Sequence, residues 1–403
     1  MKKTLIPLIC CLISLTASAQ IGELKLNGYV QSDFALIQQD GKGYVGDAYS
    51  QKQDGNADWF FRYGVRRGLL RATFTSNKGK GVLEASLSET GLLPLVAYLE
   101  LDPWQWLEIQ AGLLNLDFGW ELCYPSSKLE TLERSMHTQS LFPKEHDLGL
   151  KFAFRPKPLS EHSNLYLSVA LMSGNGINKF VDKLPNLMAH LKYEYKTPTL
   201  CLALGTSYYE GKTNNADSVI YTVENGDWQA EITDFNTKNP RRYIDFELSA
   251  EFFYDFGSST LRSEYIFGVQ PSRKSSFNSQ GLGIYDSYDQ NNAFSYQRNF
   301  NGAYVYYIQS FNRCPISLVG RFAWLNKNTD IKENDKKTLS DATYTNIGGG
   351  IIYKYNQHIS AELFYDAYFN TQNTYLSDQN DDMLHLRPKS KAPDPTRTPK
   401  LSG

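Results

Sequence analysis

The sequence predicts an all-β chain closed into a 16-stranded antiparallel transmembrane β-barrel, with short periplasmic turns and long extracellular loops. Three observations predict it. Apolar and polar residues alternate with period two in short runs along most of the chain, as strands do when one face is greasy and the other wet. The connections between the runs alternate short and long, which sorts turns to one end and loops to the other. Aromatic residues are abundant, 27 Tyr and 22 Phe, and many fall at run ends, where an interfacial girdle needs amphipathic rings. A soluble sandwich would alternate equally well, but it has no reason to sort its loops by parity.

From the N-terminus, Lys2 and Lys3 precede an apolar segment, Leu5 to Leu15, and then Ala17-Ser18-Ala19. That order reads as an export signal over 1–19, followed by one barrel domain over 20–389 and a disordered tail over 390–403. No other stretch approaches the apolar length of a membrane helix, so crossing must be by strands.

Strands are expected near 24–37, 60–76, 82–88, 94–102, 105–113, 146–156, 164–172, 187–195, 199–209, 241–256, 260–270, 298–310, 316–326, 341–355, 358–370 and 380–388. Two runs show the pattern best. Leu148, Leu150, Phe152 and Phe154 share one face, opposed by Asp147, Gly149, Lys151, Ala153 and Arg155. Further on, Ile244, Phe246, Leu248, Phe252 and Phe256 oppose Asp245, Glu247, Ser249, Glu251 and Asp255. Short links fall at 77–81, 102–104, 196–199, 257–259, 312–315 and 356–357. Long ones occupy 38–59, 114–145, 173–186, 210–240, 271–297 and 327–340. Strands this long can cross a bilayer when tilted, since each backbone group pairs with a neighbour. Sixteen of them enclose a water-filled bore. The last run breaks the pattern at Pro388, which is tolerated at a strand edge but not inside a paired strand. A frayed final strand is therefore expected.

Between Pro125 and Gly149 the alternation stops and charges of both signs crowd together, among them Lys128, Glu130, Glu133, Arg134, Lys144 and Glu145. A loop folded into a wide bore would narrow it, and its charges would decide which ion is stabilised. A solvated external loop accounts for the same composition.

Four short motifs follow one another from Arg66 to Gly149. They are RRGLLR (Arg66, Arg67, Arg71), DFGWE (Asp117 to Glu121), SSK…LERS (Ser126 to Lys128, Leu132 to Ser135) and HDLG (His146 to Gly149). In this order they resemble the phosphate-selective porin O/P family. The resemblance implies an outer-membrane porin of a Gram-negative bacterium, seated in outer-membrane lipid and commonly a homotrimer. It further implies a constriction loop, and basic lumenal residues that bind small inorganic anions of the phosphate type or pass other small hydrophilic solutes. Position by position, Arg66 and Arg67 match the family's arginine pair, Arg134 matches its Glu-Arg-Ser arginine, and Lys128 lies near a constriction lysine. Asp117 stands where the family has proline, and His146 where it has arginine.

Alternation supplies its own view of these side chains. With Gly68, Leu70, Ala72 and Phe74 toward lipid, Arg67 and Arg71 face the lumen, as does Lys151. Arg66 then points outward, which is costly at bilayer depth unless it lies at the outer rim or a bulge turns it in. Arginine's fixed fork suits a tetrahedral oxyanion. The residues expected to line the pore and meet anions are Arg66, Arg67, Arg71, Lys128, Glu133, Arg134 and Lys151. A mixed-sign charge ladder, common to any such barrel, would use the same residues.

Other functions find less support. The net charge is −2, and the basic termini leave the body between them more acidic still, which argues against nucleic acid. No metalloprotease, nucleophile-elbow or P-loop motif occurs, so neither an enzyme nor a cofactor is expected. His137 and His146 read as solvated loop histidines. Cys123, Cys201 and Cys314 are widely spaced, implying neither a disulfide framework nor a metal cluster. The alternative to a pore is a binding or adhesion barrel acting through 210–240 and 271–297.

Overall fold

The structure, a computed structural model, describes residues 22–39, 59–88, 91–142, 145–156, 158, 160–174, 176–177, 185–214, 219–224, 227–232, 238–273, 295–336, 341–374 and 381–391. The expected export signal lies outside these residues, as do 392–403 and most of 271–297.

Eighteen strands occur among the described residues: β1 (Glu23–Gln39), β2 (Trp59–Ser76), β3 (Gly79–Ser88), β4 (Gly91–Trp104), β5 (Leu107–Asn115), β6 (His146–Phe154), β7 (Ser163–Met172), β8 (Asn186–Lys196), β9 (Leu200–Asn214), β10 (Val219–Glu224), β11 (Asp227–Ile232), β12 (Lys238–Tyr254), β13 (Gly257–Arg273), β14 (Ser295–Phe311), β15 (Ile316–Asn326), β16 (Thr343–Lys354), β17 (Ile359–Asn370) and β18 (Asp381–Lys391). Sixteen form a closed antiparallel barrel. Each pairs with the next in sequence, β9 pairs with β12, and β18 closes on β1. The other two, β10 and β11, form a hairpin within the long 210–240 connection, touching β14 in parallel at Tyr221–Tyr296 and Thr222–Gln297. A plain loop was expected there. Asn225-Gly226, the dipeptide between the two runs, is the signal in the sequence that marks such a hairpin.

The alternation resolves as a two-sided wall. Leu70, Leu99, Phe246 and Phe252 stand more than half exposed on the outside, at 62, 69, 52 and 52%. In water, exposing such side chains would forgo about 1.5–3 kcal/mol each. Around a closed barrel they meet lipid. This is the architecture of the Gram-negative outer membrane, and that membrane is where the chain resides.

The final strand does not fray. β18 pairs along its length with β17, Pro388 lying opposite Ala361, and it runs on to Lys391. Its ladder to β1 is interrupted between the Gln31–Lys389 and Phe34–Leu386 pairs, which is where a missing N–H is tolerated.

The segment between β5 and β6 turns into the barrel. It carries short helices at Gly119–Cys123 and Met136–Leu141, and a 3-10 turn at Ser126–Lys128. Its apolar side chains explain the inward path. Phe118, Leu122, Met136, Leu141 and Phe142 join a buried cluster with lumen-facing Tyr209, Tyr243, Phe300, Tyr304 and Tyr306. Phe142 meets Tyr209 and Tyr243 edge-on at 6.3 and 5.9 Å, a geometry that aromatic quadrupoles favour.

Candidate functional site

The inward loop is held from nearly all sides of the barrel. On β9 and β13, Ser207 Oγ and Glu264 Oε1 accept the N–H groups of Gly119 (2.9 Å) and Glu121 (2.8 Å). Arg262 on β13 pairs with Glu130 at 2.6 Å, and Arg321 on β15 donates to the Glu133 carbonyl at 2.8 Å. From the opposite wall, Arg66 on β2 forms a forked pair with Glu133, at 2.8 and 2.6 Å. Arg387 on β18 reaches the same carboxylate at 3.0 Å, and Lys389 reaches the Leu129 carbonyl at 3.2 Å. Glu133 is thus the loop's clamp. Burial alone would raise its pKa, but the charges of Arg66 and Arg387 hold it well below the usual carboxylate range.

Braces within the loop fix its shape. Glu121 accepts the Ser135 N–H at 3.0 and 2.8 Å and its hydroxyl at 2.7 Å. Arg134 pairs with Glu145 at 2.8 Å. Burial opposes ionisation of Glu145, yet the Arg134 charge outweighs it and brings the pKa to about 2. Gly119 has φ +64°, and a Cβ there would lie 3.0 Å from Asp245 Oδ2 and 3.3 Å from Glu264, so the contact requires glycine.

Five of the seven residues singled out by sequence line one cavity. It measures about 850 Å³, lies between the loop and the wall around β1–β6, and is bordered by Arg66, Arg67, Arg71, Arg134 and Lys151. Arg66 reaches it through a bulge. Gln31 opposes Arg67 while Ser32 opposes Val65, leaving Arg66 as the extra residue, turned inward. Arg67 hydrogen-bonds the Tyr29 phenol. Arg71 lies 3.5 Å from Glu84, and Lys151 lies 3.7 Å from Asp117. Glu84, Asp117 and Glu145 are the carboxylates of the lining, three against five fixed cations. The remaining two residues sit elsewhere: Lys128 is exposed and off the cavity, while Glu133 is engaged in the clamp.

Sequence reasoning missed Arg262, Arg321, Arg387 and Lys389. Alternation could have found the last two, since Leu384 and Leu386 face outward and leave Arg387 and Lys389 on the lumenal face. It also misplaced His137, which is not solvated. That side chain is 3% exposed, lies 3.5 Å from Glu264, and stacks on Tyr304 at 5.5 Å between centroids. His146 does border the cavity. Asp245 and Glu247 face inward as alternation requires, but the loop covers them and both are buried.

No protein-family model matches this chain, and neither does any curated protein sequence. Solved structures do match. The outer membrane channel DcaP of Acinetobacter baumannii is 11% identical, with a TM-score of 0.56 over 93% of this chain and 99% of that one. An anion-selective porin from Comamonas acidovorans is also 11% identical, at 0.53 over 91% and 99%. The fold is a porin's. OmpT of Vibrio cholerae, in a trimer form, aligns at 10% identity and 0.52 over 92% of this porin-like chain and 100% of that one.

Proposed function

We propose that this porin-fold chain is a passive diffusion channel for small hydrophilic solutes and favours phosphate-like anions at its basic cavity. One observation carries the reading. The cavity beside the loop is lined by five fixed cations and three carboxylates, with the Tyr29 phenol hydrogen-bonded to Arg67. In a narrow, partly desolvated passage, guanidinium groups bind oxyanions more strongly than in open water. The resemblance of the Arg66 to Gly149 motifs to phosphate-selective porins O and P supports the anion, as does the fold shared with an anion-selective porin. A homotrimer is the assembly we propose, on that resemblance and on the trimer form of the Vibrio cholerae protein.

The test is the reversal potential of single channels in a salt gradient, with and without phosphate. Wild type should favour anions, and phosphate should block or slow the current. Arg67→Ala should cut the anion-to-cation permeability ratio several-fold without changing the fold. A current indifferent to phosphate and to Arg67 would refute anion preference. Absence of any current would favour the binding or adhesion reading, through the loops 210–240 and 271–297.

A further inference from the structure

Where the loop meets β8, at the edge of the cavity, three metal-binding atoms converge. Asp117 Oδ1 lies 3.0 Å from Cys123 Sγ and 3.2 Å from His190 Nδ1, and the sulfur lies 3.7 Å from the same nitrogen. All three donor atoms fall within 4.8 Å of one another. Around a tetrahedral zinc ion, with bonds of about 2.0–2.3 Å, neighbouring donors sit about 3.3–3.8 Å apart. Shifts of a few tenths of an ångström would bring this trio to that spacing.

The surroundings orient each donor. His190 Nε2 lies 3.2 Å from Glu247, the kind of outer carboxylate that fixes the tautomer of a ligating imidazole and frees the other nitrogen for the ion. The second oxygen of Asp117 accepts the Tyr166 hydroxyl and faces Lys151 at 3.7 Å, so Oδ1 remains for the centre. Asp117 and Cys123 both border the cavity, whereas His190 is buried in the wall.

We propose that Asp117, Cys123 and His190 form a site for a zinc-class divalent cation, its fourth position open to the cavity. A thiolate, an imidazole and a carboxylate suit zinc, whereas calcium and magnesium take oxygen donors. On binding, the Cys123 thiol and His190 Nδ1 each lose a proton to solvent, and sulfur–metal and nitrogen–metal bonds replace their hydrogen bonds to Asp117. The ion ties the loop, which supplies two ligands, to the wall, which supplies the third. The site stands whichever solute the cavity passes.

Cobalt(II) titrated into the full, refolded chain in detergent is the probe. The expected result is one ion per chain with a thiolate-to-cobalt charge-transfer band, displaced by zinc. Cys123→Ser should abolish the band, with the strand signal in circular dichroism unchanged. Cys201→Ser and Cys314→Ser should keep it. Glu247→Gln should weaken binding by about 10–100-fold, as loss of an outer-shell partner does. A folded wild type without the band, or a band that survives Cys123→Ser, would overturn the site and leave the three side chains as a hydrogen-bonded joint.

Discussion

The two halves of the lumen are built from the same alternating strands, yet they end up opposite in character. On the β1–β6 side, Arg66, Arg67, Arg71 and Lys151 border an open cavity. On the β9–β14 side, Tyr209, Tyr243, Phe300, Tyr304 and Tyr306 make an apolar floor for the loop, and Asp245, Glu247 and Glu264 are buried there. The loop makes the difference. By lying on the acidic, aromatic wall it removes those carboxylates from the passage, while Arg67, Arg71 and Lys151 on the basic wall still border the cavity. A chain with net charge −2 can therefore present a cation-rich opening, because the charges that count are those left uncovered.

The comparison breaks most completely if the clamp is cut. Glu133→Ala leaves Arg66 and Arg387 without their shared carboxylate, and breaking a largely buried pair costs about 3 kcal/mol. The loop should lift from the β2–β18 side, so single-channel conductance should rise severalfold and thermal unfolding in detergent should come earlier. Gly119→Ala attacks the other attachment. A side chain at φ +64° and 3.0 Å from Asp245 should cost about 1–2 kcal/mol and appear as added gating noise, with selectivity kept. Asp245→Asn sharpens the contrast, since a covered carboxylate should leave the reversal potential where it was. A shift as large as that of Arg67→Ala would mean the acidic wall is not covered.

The smallest expected effect is of pH. Glu145 is held at about 2 by Arg134 despite its burial, and Glu133 is held low by Arg66 and Arg387. A depressed carboxylate pKa contributes stability that is full above the unfolded value, about 4.3, and is lost only as pH falls through the folded one. The clamp should thus stay closed from pH 8 to roughly pH 4.5, and loop release, read as a severalfold rise in conductance, should begin well below that. A severalfold rise in conductance already near pH 5 would show that the clamp carboxylates are not held ionised.

Much of the barrel was legible because period two and turn spacing are local signals. All sixteen wall strands fall where the alternation put them, and Arg67, Arg71 and Lys151 face as it required. What escaped was non-local. The direction of Arg66 depends on a bulge that only the register with β1 reveals. The partners of Glu133 lie 67 and 254 residues away, and nothing in the loop's own composition names them. His137 was misread because a charged loop suggests water, whereas this one is buried inside its own barrel. Pro388 was read as a break for the same local reason, although the β1–β18 ladder has a gap that accommodates it.

Arg387 belongs to the strand made last, and it grips a carboxylate in a loop made long before. Seating of the loop against that side is therefore completed only when β18 zips onto β1. Assembly thereby gains a built-in order: the step that seals the wall also sets the bore. A chain stalled before its last strand would carry a loop lacking its Arg387 and Lys389 anchors as well as an open seam, giving quality control two defects to read instead of one.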